Sequence, residues 1–134
     1  PYKVQQDLQE SMQALVGIVR NAAEMEEALG RLAALRERAA RAGVDGHREY
    51  HTGWHTCLDL RNLLDVSEAI TRSALERRES RGGHFREDHP DKEAEFGACN
   101  ILTRRGPDGG MVVSRVDVPA MPPELAQVIE EQKS

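Results

Sequence analysis

The stretch that decides the fold runs from Trp54 to Glu79, "WHTCLDLRNLLDVSEAITRSALERRE". Leu58, Leu60, Leu63, Leu64, Ile70, Ala74 and Leu75 recur in it at helical spacing, and no proline or glycine interrupts them. The spacing predicts a helix over about 54–79 with these side chains pointing inward. They cover more than one narrow stripe, so such a helix is buried on two sides or meets a partner beyond this chain.

Upstream, Val4, Leu8, Met12, Leu15, Val16 and Val19 predict a first helix reaching Val19, although Gly17 weakens it by roughly 1 kcal/mol relative to alanine. Asn21 followed by Glu24 has the spacing of a capping box and predicts the start of a second helix. Its apolar stripe is Met25, Ala28, Leu29, Leu32, Leu35 and Ala39, and Gly43 offers a C-terminal stop. Residues 44–53 form a connection. These periods predict a mainly α fold, a three-helix up-down bundle of the spectrin-like kind over 1–80.

The remainder, 81–134, has another character. Two β-prone runs, Cys99–Arg104 and Met111–Val118, flank the turn Gly106-Pro107-Asp108-Gly109-Gly110, so a β-hairpin is expected over about 97–118. A lone hairpin is marginal in water and must lie on the helices or on a partner. A short terminal helix is expected after Pro123. Bundle, loop, hairpin and tail together make one domain's worth of chain.

Composition narrows the function classes. The 134 residues are 39% hydrophobic and 31% charged, so the chain is not wholesale disordered. Aromatics are only 4%, leaving aliphatic side chains to fill a helical core. A net charge of −5 without a basic cluster argues against nucleic-acid binding. No apolar run is long enough to insert in a membrane. Cys57 and Cys99 are far apart in no Cys-x-x-Cys pairing; they could form one disulfide, but nothing favours that over two reduced thiols.

Two clusters invite chemistry. His47, His51 and His55, four residues apart with Cys57 nearby, would share a face on a continuous helix and could ligate zinc. Gly46, Thr52 and Gly53 place them instead in a loop, where histidines that hydrogen-bond locally are the default. The second cluster lies in "ERRESRGGHFREDHP", Glu76–Pro90. His84, Asp88 and His89 offer acid–base groups, and Arg81 with Arg86 could clamp a carboxylate. The structural alternative is that arginines here bond the free carbonyls of a helix end, with Gly82 supplying left-handed backbone. Ser67 and Ser73 have no adjacent base, and no phosphate-binding glycine motif occurs.

The stretch "ESRGGHFREDHP" resembles the Glu-Ser-Arg-Gly-[Ala/Gly]-His-x-Arg-x-Asp-x-Pro signature in the C-terminal region of succinate dehydrogenase and fumarate reductase flavoprotein subunits. "LQESMQALVGIVRNAAEMEEALGRLAALRERA" and "LDLRNLLDVSEAITRSALERRESRGG" are similar to the helices of that region. "GHREYHTGWHTCLDLRNLL" looks most like the actinobacterial-type versions. The resemblance spans essentially the whole chain. It implies a detached C-terminal domain, consistent with a chain that begins at Pro1, whose full subunit interconverts succinate and fumarate by hydride transfer at FAD. Electrons would pass to an iron–sulfur subunit and a membrane anchor, which holds the enzyme at the inner face of the plasma membrane on the cytoplasmic side. FAD, the capping domain and the catalytic residues belong to upstream domains, so this chain alone is expected to hold no cofactor and to be inactive.

The same resemblance assigns Glu79, Ser80, Arg81, Gly82, His84, Arg86 and Asp88 to docking the third helix on the FAD-binding domain, with Arg81 and Arg86 as the contacts across domains. Two departures stand out. Phe96 takes the place where the family carries a tryptophan, and Asp65 sets a charge beside Leu64 on a packing helix. L-aspartate oxidase shares the architecture and is a second option for the parent. A stand-alone interaction module, for instance a homodimer burying the third helix's extra apolar face, is the reading from a different class.

Overall fold

The computed structural model describes residues 1–132. Its elements are α1 (Tyr2–Leu15), β1 (Val19–Arg20), α2 (Ala22–Ala40), α3 (Thr52–Glu76), β2 (Phe85–Arg86), α4 (Ala94–Gly97), β3 (Cys99–Arg105), β4 (Met111–Asp117) and α5 (Pro123–Glu131). Helices α1, α2 and α3 pack on one another as the expected bundle, and β3 and β4 form the expected antiparallel hairpin with Cys99 opposite Asp117 and Arg105 opposite Met111.

The core is aliphatic. Val4 and Leu8 of α1, Leu32 and Leu35 of α2, and Leu60 and Leu64 of α3 make one buried cluster, and Met12 joins it to a second one of Leu15, Val16 and Ala28. Burying each such leucine contributes about 1.5–3 kcal/mol. Truncating the nearly inaccessible Leu64 to alanine would cost about 2–5 kcal/mol, because the rigid cluster cannot close the gap.

Four expectations need correction. The first helix stops at Leu15, not Val19. Gly17 follows, where a Cβ would sit only 3.0 Å from the Gln13 carbonyl oxygen, and after a bend through Ile18 the backbone is extended at Val19–Arg20. Val19–Arg20 then pairs in parallel with Phe85–Arg86. The second helix ends at Ala40 with a right-handed cap at Arg41, so Gly43 is not its stop.

The third helix starts at Thr52 and ends at Glu76, three residues early, because Arg77 turns extended. Finally, α3 turns Gly53, Leu60, Leu64, Ser67, Thr71 and Ala74 inward, while Leu58, Leu63 and Ile70 are exposed along with Val66. The excess apolar face read from the sequence is therefore present, and these helices do not cover it.

Asn21 caps α2 as expected, its side-chain oxygen accepting from the Glu24 amide at 3.0 Å. The charge at Asp65 is answered by Arg36 of α2, which donates to Asp65 at 2.6 Å and to Glu68 at 3.0 Å. Phe96 is buried on α4 between Arg77 and Arg115, whose guanidinium carbons lie 5.6 and 4.3 Å from its ring centre. It anchors the root of the hairpin, with Arg77 donating to the Phe96 and Cys99 carbonyls.

Candidate functional site

The segment after α3 closes on itself around Arg86. A helix leaves its last four carbonyls without partners, and the Arg86 Nη1 donates to those of Ala74, Leu75 and Arg77 at 2.9, 3.1 and 3.3 Å. Its Nε and Nη2 both reach the Asp88 carboxylate at 2.7 Å, a two-pronged pair. Asp88 in turn accepts from the Ala22 amide at 3.0 Å, at the first residue of α2. One arginine–aspartate pair thus fastens the end of α3 to the start of α2. Arg86 is 1% exposed. The hydrogen bonds from Arg86, helped by that amide, hold the Asp88 carboxyl well below the usual carboxylate range against the cost of burial.

A second knot surrounds Glu79, which is fully buried. Arg81 grips its carboxylate with Nε at 2.8 Å and Nη2 at 3.0 Å. Arg77 and the Glu93 amide supply further donors. The Arg81 contacts foremost, then the Glu93 amide and Arg77, outweigh burial and lower its pKa to about 2. Ser80 ties the two knots: its hydroxyl accepts from the Arg86 amide at 2.8 Å and donates to the His89 carbonyl at 2.9 Å.

His84 spans the elbow between α1 and α2 and the end of α3. Arg20 can only donate, so His84 Nδ1 must accept from it, at 2.8 Å; a carbonyl can only accept, so Nε2–H donates to Arg77 at 3.0 Å. The ring is therefore neutral. Burial lowers its pKa, and the charges of Arg20, Arg86 and Arg77 act in the same direction against the Arg77 carbonyl. Gly82 has φ +61° in the tight turn joined by the Arg81 and His84 backbones, where a glycine is needed.

This geometry decides among the sequence readings. The carboxylate clamps expected of Arg81 and Arg86 exist, but each holds a carboxylate of this chain. Acid–base pairing does not form, because His84 faces Arg20 and Asp88 faces Arg86. Of the seven signature residues, Glu79, Ser80 and Arg86 are buried, and Arg86 makes its carboxylate and carbonyl contacts within the chain.

The histidine trio is not on one helix. His47 lies in the loop, His55 is in α3, and His51 caps α3 by accepting from the Trp54 amide at 3.3 Å while its Nε2 meets the Asp45 carbonyl at 3.1 Å. Among the described residues no group of three His, Cys, Asp or Glu side chains is placed to hold a metal ion. Arg77, which completes the Glu79 knot, and Arg20, which holds His84, carry no distinctive pattern in the sequence. The one signal for Arg77 was a cation at the end of an apolar period.

Residues 5–127 match the family described as fumarate reductase flavoprotein C-term. The chain belongs to that family. It is 35% identical over 116 residues to the fumarate reductase flavoprotein subunit of Mycobacterium tuberculosis, covering 86% of this chain and 20% of that protein. It is 30% identical over 125 residues to the L-aspartate oxidase of Streptomyces coelicolor, covering 93% of this chain and 21% of the oxidase. Among solved structures, Mycobacterium smegmatis Sdh1 in complex with UQ1 superposes with a TM-score of 0.88 at 40% identity, over 97% of this chain and 22% of the other. The chain thus spans about a fifth of the length of the relatives it matches.

Proposed function

We propose that this chain is the buttress of a flavoprotein subunit that interconverts succinate and fumarate, and that it works by docking and not by chemistry. The observation that carries the reading is the division of the surface around the signature. Glu79, Arg81, Arg86 and Asp88 of the loop are satisfied inside the chain, while apolar side chains beside them are left uncovered. Ile18, Val19 and Phe85 sit together on the parallel β1–β2 pair, with Ile18 72% exposed. On α3, Leu58, Leu63, Val66 and Ile70 form a further exposed apolar face. Uncovered apolar patches mark contact surfaces. Their partners here are the FAD-binding and capping domains, with Arg81, half exposed at the rim, and the Gly82 turn completing the contact.

The residues of this chain do not fit FAD itself. Gly82-Gly83 makes a turn and opens no helix that could receive a pyrophosphate, and Arg81 and Arg86 are committed to Glu79 and Asp88. FAD therefore belongs to the upstream domains. An iron–sulfur subunit and a membrane anchor would take the electrons and hold the assembly at the inner membrane face; no helix among the described residues is long and apolar enough to cross a membrane.

The test joins this chain to the flavin-bearing remainder of its subunit and measures bound flavin and succinate-dependent dye reduction. Phe85→Asp with Val66→Asp is expected to lower both by roughly tenfold or more, the scale of losing buried apolar contacts, while the separate chain keeps its unfolding midpoint. Unchanged flavin and turnover would overturn the proposal. The likeness to L-aspartate oxidase supports a second reading of the parent's substrate, and the same preparation assayed with L-aspartate separates the two.

A further inference from the structure

Two features stand uncovered among the described residues, and they complement each other. The first is α5. All nine of its residues are exposed, and a helix this short does not persist in water without packing. Leu125, Val128 and Ile129 line one side at helical spacing, and Glu124, Glu130 and Glu131 make the helix acidic. The second is a cleft of about 950 Å³ between the hairpin tip and the groove of α2 and α3. Ala39, Leu64 and Met111 give it apolar walls. Arg61, Arg104 and Arg105 line it too, and their side chains have no hydrogen bond or ion pair among the described residues. The acids in the cleft, Asp65 and Glu68, are neutralised by Arg36. A cationic, part-apolar cleft in a chain of net charge −5 selects for an acidic amphipathic segment.

The geometry points to α5 of a second copy of this chain as the occupant of the cleft. A nine-residue helix is about 13 Å long and about 10 Å across, which suits a groove that takes one face of it. The chain's own helix is not seated there. It leaves from Val118, which bonds Ala98 at the root of the hairpin, whereas the cleft lies under the Gly106–Gly110 turn at the far end. Two copies related by a two-fold axis can exchange helices, so that the contact forms twice and both apolar faces and both arginine sets are covered. The inference does not rest on the flavoprotein reading.

Cysteine trapping tests it, because Cys57 also lines the cleft. The full chain carrying Val128→Cys, oxidised at low ionic strength, is expected to give a covalent dimer on a non-reducing gel. That dimer should vanish when Cys57→Ser is added. By sedimentation, Arg61→Glu with Arg104→Glu should weaken dimerisation by about tenfold or more, and adding Glu124→Lys with Glu131→Lys should recover most of the loss. A disulfide closed within one chain, a covalent dimer that survives Cys57→Ser, or a wild-type chain that sediments as a monomer would each overturn the assignment.

Discussion

The signature loop, Glu76–Pro90, and the hairpin with its terminal helix, 99–131, each carry eight charged residues, yet the structure uses that charge in opposite ways. In the loop, Arg86 and Glu79 are buried, and each meets several partners inside the chain. On the hairpin, Arg104 and Arg105 stand in solvent, and Arg115 pairs with Glu76 and Glu95 at the surface. The loop lies between two helix ends, where unpaired carbonyls of α3 and an unpaired amide of α2 need charged partners. The hairpin has already satisfied its own backbone, so its arginines are left for contacts elsewhere.

The contrast predicts where substitutions hurt. Arg86→Met leaves Asp88 and three helix-end carbonyls without their partner in a buried site, and should cost about 3–5 kcal/mol in urea unfolding. Gly53→Ala comes next. Its Cβ would meet Val44 Cγ1 at 2.8 Å and the His51 ring at 3.1 Å, for about 1–3 kcal/mol of overpacking at the start of α3. Asn21→Ala removes the α2 cap and should cost about 1 kcal/mol. Arg115→Ala should cost the least, since its ion pairs are exposed, and its loss should appear first as faster amide exchange in the hairpin. An Arg115 effect as large as that of Arg86 would erase the distinction between the regions.

Acid should also act on the loop. The unfolded chain takes up protons at ordinary carboxylate pKa values, whereas folded Glu79 and Asp88 resist until lower pH. Their stabilisation is full above the ordinary values and is lost as pH falls through them, for Glu79 towards about 2. His84 adds an earlier limb. Its folded pKa is lowered, so its contribution is full above the ordinary imidazole value and fades as pH falls below it. Stability measured against pH should therefore begin to drop below about 6.5 and steepen below about 4.5. His84→Gln should remove the first limb only.

Much of this architecture was legible in the sequence. The apolar periods of the three helices, the Asn21 cap and the Gly-Pro-Asp-Gly-Gly turn are local signals, and the structure follows them. The errors sit where a distant residue intervenes. Nothing near Leu15 announces that Val19 and Arg20 will pair with Phe85 and Arg86, far along the chain. Likewise, the end of α3 at Glu76 is set by Arg86, which takes the last carbonyls from a position ten residues later. The surplus apolar face of α3 is visible as a pattern, but packing against α1 and α2 decides that Leu58, Leu63 and Ile70 are its members and that Leu60 and Leu64 are not. The signature was recognisable as a motif. Its inward commitment was not, because an arginine that docks outward and one that caps a helix from within read the same in sequence.

The most direct test is a double-mutant cycle between Arg86 and Asp88 in this chain by itself. If the pair is the internal fastening between α2 and α3, Arg86→Met and Asp88→Asn should each lower stability, and their combination should show a coupling of at least about 1.5 kcal/mol with no other domain present. Additive losses, or single variants as stable as the wild type that fail only in the assembled subunit, would contradict it and return the signature to the outer surface.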